Sequence, residues 1–176
     1  MVTDPLDGVL DEPRSGRRSI RRMPAALPWV LDQLTGMLPI TGWWILVFTA
    51  PSRRRSVATA HPVAQRMRAL EAGLVESPGL QAARTGERVL LPDLADREAV
   101  DRFPRFVPRA VAAGVAAEFS FPLWSADQRI GGLSVCSAVP VQLDPVDLGR
   151  TQLLADLATA LIVSAQHDPE APEWPR

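Results

Sequence analysis

An α+β fold, an antiparallel sheet with helices laid against its faces, is what this 176-residue sequence predicts, and three observations carry that prediction. Residues 117–124 and 129–137 read as two strands separated by Ser125-Ala126-Asp127-Gln128, a turn of hairpin length. Upstream, short helices marked by capping residues alternate with strands. Downstream, a long apolar-striped helix opens at Asp144-Pro145. Strands mostly joined by hairpins or by helices laid on the faces give an antiparallel sheet in an α+β domain.

Each element has its own signal. Residues 25–38 place Leu27, Val30, Leu31, Leu34 and Leu38 at helical spacing, with Pro24 suited to the first turn. Residues 42–50 are β-branched and aromatic, as a strand buried on both faces should be. A helix over 62–73 carries Val63, Met67 and Leu70 on one face and stops at Gly73. Ser77 is the expected N-cap of the next helix, Pro78 its first residue and Gly86 its C-cap. A strand over 88–91 runs into Pro92-Asp93, and a further helix ends at Gly114. In the last helix Asp144 is the cap and Asp147 faces the positive end of the dipole. Its apolar set is Leu153, Leu154, Leu157, Ala158, Leu161, Ile162 and Ala165, a stripe wide enough to cover a sheet with some surface left over.

Bulk properties bound the function. The length suits one domain with a full core. Hydrophobic content of 47% with 22% charged residues is that of a soluble globular chain. A net charge of −1 gives no global attraction to nucleic acid or anionic membrane. All 19 basic residues are Arg, which reads as coding bias. The single cysteine excludes an internal disulfide and suits a reducing, cytoplasmic compartment. Residues 34–51 are uncharged and have the length of a minimal membrane span, but Thr35, Gly36, Pro39, Thr41 and Gly42 break them into a helical and a strand piece, so no span is expected. Three regions are expected: an Arg-rich disordered arm over 1–23, a folded domain over 24–167, and a disordered tail over 168–176 with three prolines.

The segment Ala83-Arg84-Thr85-Gly86-Glu87-Arg88-Val89-Leu90-Leu91-Pro92-Asp93-Leu94, then Phe103-Pro104-Arg105-Phe106 with Ala113-Gly114-Val115, then Phe119-Ser120-Phe121-Pro122-Leu123 and Ile130-Gly131-Gly132-Leu133, resembles a GAF domain of the actinobacterial type found beside ANTAR modules. The resemblance covers roughly residues 25–165. It implies a GAF/PAS-like central antiparallel sheet, with the terminal helices on one face and shorter helices with a ligand cavity on the other. It also implies a sensory or regulatory role rather than an enzymatic one. Where relatives carry Gly and Cys before the helix that closes on Thr85-Gly86, this chain has Val75-Glu76-Ser77-Pro78-Gly79. No ANTAR-like segment follows the last helix, so antitermination by this chain alone is not expected.

Period-two alternation marks a candidate cavity wall. Phe119, Phe121 and Leu123 share one face of the first hairpin strand, and Glu118, Ser120 and Trp124 the other. On the partner strand Leu133 and Val135 share a face, and Gly132, Ser134 and Cys136 the opposite one. The small, polar and acidic side is the expected ligand wall: Glu118, Ser120 and Ser134 supply polar contacts, and Trp124 with Trp43 or Trp44 supplies stacking surface. The bland alternative is that small residues there let a helix approach the sheet.

Other candidates are weaker. Cys136 reads as a small core residue, and GAF-fold methionine sulfoxide reductases use more than one Cys. His61, before Pro62, reads as a loop or cap residue rather than a haem ligand. No cluster has metal-ligand spacing, and no cofactor is expected. Arg53-Arg54-Arg55 is expected at the turn between the first two strands, and the arm holds Arg14, Arg17, Arg18, Arg21 and Arg22. Such runs are mostly solvated. Two functions remain: a sensor that binds an unknown small molecule and transmits it to a dimer or partner contact, or a degenerate scaffold acting through protein contacts without ligand. The resemblance implies a homodimer through residues 24–38 and 145–166, with no nucleic-acid or membrane partner.

Overall fold

The computed structural model describes residues 20–50, 53–59 and 61–175. The chain runs α1 (Leu27–Thr35), β1 (Gly42–Ala50), β2 (Arg53–Ala58), α2 (Pro62–Ala72), α3 (Pro78–Thr85), β3 (Val89–Leu91), α4 (Arg97–Arg102), α5 (Val107–Ala112), β4 (Ala117–Ser125), β5 (Gln128–Ser137) and α6 (Pro145–Ala165). Among the described residues the sheet has five strands in the order β2-β1-β5-β4-β3, every neighbouring pair antiparallel. This is the α+β arrangement that the hairpin and the capped helices predict.

Two cores lie on opposite faces of the sheet. Trp43, Ile45, Phe119, Phe121, Leu133 and Val135 meet Leu27 and Leu31 of α1 and Leu154, Ala158 and Ile162 of α6. On the other face Trp44 and Cys136 meet Met67 of α2, Ala82 of α3, and Phe106 and Ala110 around α5. Alternation along β1 and β5 therefore sends neighbouring residues into different cores, which is why the central strands are apolar throughout.

Local chemistry places the helix ends. Ser77 Oγ accepts from Leu80 N at 3.0 Å, and Gly86 closes α3 in the left-handed region at φ 78°, where a side chain would be strained. Asp144 Oδ1 accepts from Asp147 N at 2.8 Å to start α6. His61 Nδ1 accepts from Val63 N at 3.3 Å, so this histidine caps α2.

Several expectations change. The helix expected to end at Gly114 is two short helices, α4 and α5. Phe103 precedes Pro104, and the proline ring drives its predecessor out of the helical region, here to φ −131°, ψ 64°. The first helix is shorter than 25–38, ending at Thr35, whose hydroxyl bonds back to Leu31 O at 2.7 Å just before Gly36. Arg53-Arg54-Arg55 stand within β2 rather than on the turn.

The expected disorder of the tail is also replaced by contact. The backbones of Arg22 and Glu173 pair as an isolated antiparallel bridge, Met23 N donates to Pro172 O at 2.7 Å, and Trp174, only 5% exposed, packs into the α1–α6 core with Ile20. One large apolar side chain offsets the ordering of several prolines, whose conformational entropy is already small. Residues 1–19 of the expected arm lie outside the described residues. No described helix is long and apolar enough to cross a membrane.

Candidate functional site

The polar face expected on the central hairpin forms as a block, because register aligns it across four strands. Trp44 of β1 pairs with Ser134 of β5, Ser134 with Ser120 of β4, and Ser120 with Val89 of β3. One row away, Gly42, Cys136, Glu118 and Leu91 are aligned in the same manner. Residues in register on one face have Cβ atoms within about 5 Å, so these side chains must meet.

They meet in a buried hydrogen-bond network. The Ser120 hydroxyl donates to Glu118 Oε1 at 3.0 Å, and the Ser120 and Ser134 hydroxyl oxygens are 2.8 Å apart. Glu118, Ser120 and Ser134 are all essentially inaccessible to solvent. Glu118 Oε2 is buried without a donor among the described residues. Burial pushes the Glu118 carboxyl well above the usual carboxylate range, the charge of Glu71 pushes it further, and the two serine hydroxyls offset this only in part.

Glu71 is the residue that the sequence reading did not single out. It sits on α2 four residues after Met67 and eight after Val63, so helical periodicity carries it onto the buried face. That spacing was the available signal. Its carboxylate accepts from Trp44 Nε1 at 2.7 Å and from the Ser77 hydroxyl. Burial raises its pKa, against the pull of those two donors and of Arg54.

Helix α3 seals the face. A Cβ on Gly79 would stand 2.5 Å from Glu71 Oε1 and 2.7 Å from Ser134 Oγ, and one on Gly132 would stand 2.7 Å from Gly79 O. Glycine at both positions thus lets the α3 backbone touch the sheet. Cys136 lies on the same face, its thiol pushed up to about 12 by burial and by Glu118, which makes it a poor nucleophile.

The three tryptophans separate. Trp44 is in the network. Trp124 flanks it on the α3 side, with Nε1 donating to Ala83 O at 3.1 Å and its ring against Gly86. Trp43 points the other way, donating to Asp32 Oδ1 of α1 at 2.8 Å in the opposite core. Adjacent strand residues cannot share a face, so Trp43 is not part of this wall.

By sequence, no curated protein gives a significant match. Among solved structures, a domain of a protein described as a two-component sensor histidine kinase from Sinorhizobium meliloti 1021 is 20% identical with a TM-score of 0.62, covering 78% of this chain and 88% of that one. The third GAF domain of Slr1393 from Synechocystis sp. PCC6803, in its photoproduct state, is 13% identical with a TM-score of 0.61, covering 80% and 93%. Free methionine-R-sulfoxide reductase from Neisseria meningitidis, solved with its substrate, is 17% identical with a TM-score of 0.53, covering 81% and 79%. At these identities the likeness is one of fold. The GAF domain family matches residues 23–163, most of the chain, and the five-stranded sheet with helices on both faces agrees with it: the chain belongs to the GAF domain family.

Proposed function

We propose that this GAF domain is a non-catalytic sensory or regulatory module of the cytoplasm, which takes a small molecule between its sheet and helices α2–α5. Glu118, Ser120 and Ser134 are its polar contacts, with Trp44 and Trp124 at the edges. The observation that carries this reading is Glu118 Oε2, desolvated and without a donor at the centre of the helix-covered face. An unmet carboxylate oxygen costs roughly 1–3 kcal/mol, and a second buried acid, Glu71, adds repulsion. A domain with only a packing role gains nothing from that pair. A ligand that presents a hydrogen-bond donor relieves it.

Because α3 rests on Ser134 through Gly79, such a ligand reaches the wall only by shifting α3 or α2. The shift is the signal, passed through the sheet to α1 and α6 on the far face. These helices expose Trp29, Val146 and Leu153, apolar surface suited to a homodimer or a partner protein. The lone, deeply buried Cys136 supports a non-catalytic role, since the sulfur chemistry of the reductase-type neighbours needs an accessible thiolate.

The close contact of Gly79 with the serine face favours a second reading, a scaffold without ligand that acts through α1 and α6 alone. Native mass spectrometry of protein isolated from its own host separates the two. A bound small molecule that is lost in Glu118→Gln supports the sensor. An unliganded mass in both proteins, with a partner protein attached, supports the scaffold.

A further inference from the structure

Strand β2 is the edge strand of the sheet and carries three consecutive arginines. Its register sets Arg54 opposite Phe48 and Ser56 opposite Leu46, and Leu46 and Phe48 belong to the α3 side of the sheet. Arg54 and Ser56 therefore face α2. From the helix, Arg68, Glu71 and Ala72 stand at i, i+3 and i+4 on one face toward β2. Between the two elements lies a recess of about 230 Å³ whose wall includes Leu46, Arg54, Ser56, Arg68, Glu71 and Ala72.

The charge of this recess is unbalanced. Arg54 and Arg68 turn toward it, whereas the alternation of β2 sends the side chains of Arg53 and Arg55 to the other face, and among the described residues neither Arg54 nor Arg68 forms a salt bridge. The one acid in the wall, Glu71, accepts from Trp44 and Ser77 and feels the charge of Arg54 without a direct ion pair, and Arg68 Nε donates only to the neutral Gln65 Oε1, at 3.3 Å. Arg54 is anchored by Nη2, which donates to Ala72 O at 3.4 Å and Leu74 O at 3.1 Å at the negative end of α2. That anchor accounts for one nitrogen only. Nη1 is buried and has no acceptor, at a cost comparable to any orphaned charged donor. Like charges gathered in a concave, low-dielectric wall focus a positive potential on the space between them.

We propose that this recess binds the phosphate group of a small soluble molecule, with Arg54 and Arg68 as the guanidinium clamp and Ser56 as a further donor. Guanidinium forks match the geometry of a phosphate dianion, and two guanidinium groups without ion pairs favour a dianion over a single carboxylate. The volume holds one such group and excludes a polynucleotide strand. The overall charge of −1 likewise gives no field along which a nucleic acid would dock. The site is separate from the Glu118 wall and does not rest on the reading given to it. Glu71 lines one and anchors the other, so occupancy of the recess shifts the charge felt by the buried network.

The test is thermal unfolding of the full chain in sodium phosphate, sodium acetate and sodium chloride at equal ionic strength. Bound phosphate raises Tm saturably at low concentration, whereas general salting effects grow without saturation. The expected result is a saturable rise with phosphate alone, with the half-saturating concentration raised about tenfold in Arg68→Gln, the loss of one charge-assisted contact. Arg54→Gln should abolish the response, and because Arg54 also ties down α2, Arg68→Gln serves where that variant does not fold. Equal Tm in phosphate and chloride overturns the proposal, as does an unchanged phosphate response in Arg68→Gln. A response to acetate equal to that to phosphate overturns the phosphate assignment. A labelled oligonucleotide whose binding needs Arg68 while free phosphate has no effect overturns it in favour of nucleic acid.

Discussion

Glu118 and Glu71 each hold a proton to higher pH in the folded chain than in the unfolded one, because burial disfavours their charged forms. The sign of the linkage follows. A carboxyl with its folded pKa raised above 4.5 contributes stability that is fully present below that value and is lost as pH rises through the folded pKa. Glu118→Gln keeps an oxygen for Ser120 and removes the ionisation, leaving a neutral amide N–H group where the buried Oε2 stood. It is therefore expected to match wild type near pH 4 and to exceed it in stability at pH 7, read from urea unfolding at both pH values. Parallel pH dependence in the two proteins would show that Glu118 does not titrate in this range. Strand alternation alone puts Glu118, Ser120 and Ser134 on one face. It could not place their partner, since Glu71 comes from a helix whose docking no local pattern fixes.

At the scale of the element, α3 decides whether the wall is open. Its ends were legible, with Ser77 capping one and Gly86 the other, because caps are chemistry within four residues. Its seat on the sheet was not, because Gly79 and Gly132 meet only through the fold. Gly79→Ala sets intrinsic helix preference, which gains up to about 1 kcal/mol, against a Cβ driven into Glu71 and Ser134. Overpacking of a tight contact costs about 1–3 kcal/mol. The expected outcome is a net loss of stability, together with increased hydrogen exchange of α3 amides as the helix lifts. Unchanged exchange with a gain in stability would mean that α3 has slack against the sheet. The division of α4 from α5 belongs to the same scale: the Phe103-Pro104 step carried the signal, and the apolar spacing of its flanks hid it.

For the whole molecule, two features reach across the chain. The tail closes on the start of the domain, with Trp174 N donating to Arg21 O at 3.3 Å and the indole buried in the α1–α6 core. Trp174→Ala is expected to cost about 3 kcal/mol, as for other large aromatic truncations; a loose tail would give no change in the denaturant midpoint. On the outside of the same helix pair, Leu153 is 68% exposed and Leu157 is partly exposed. Leu153→Glu combined with Leu157→Glu is expected to convert a dimer to a monomer in light scattering at unchanged Tm. A wild-type monomer at high concentration would remove the dimer from the mechanism proposed above.

The sequence by itself determined most of the elements, the caps at Ser77, Gly86 and Asp144, the α+β class and the two unlike faces of the central hairpin, because each depends on neighbours within one or two turns or on the two-residue alternation of a strand. Only the tertiary structure decided that Trp44 and not Trp43 joins the polar wall, that Glu71 completes it, that Arg54 and Arg68 face one recess, and that the proline-rich tail is ordered. Those outcomes depend on which face each segment turns toward segments distant in the chain, and the free energy that selects among them comes from burial of the assembled whole.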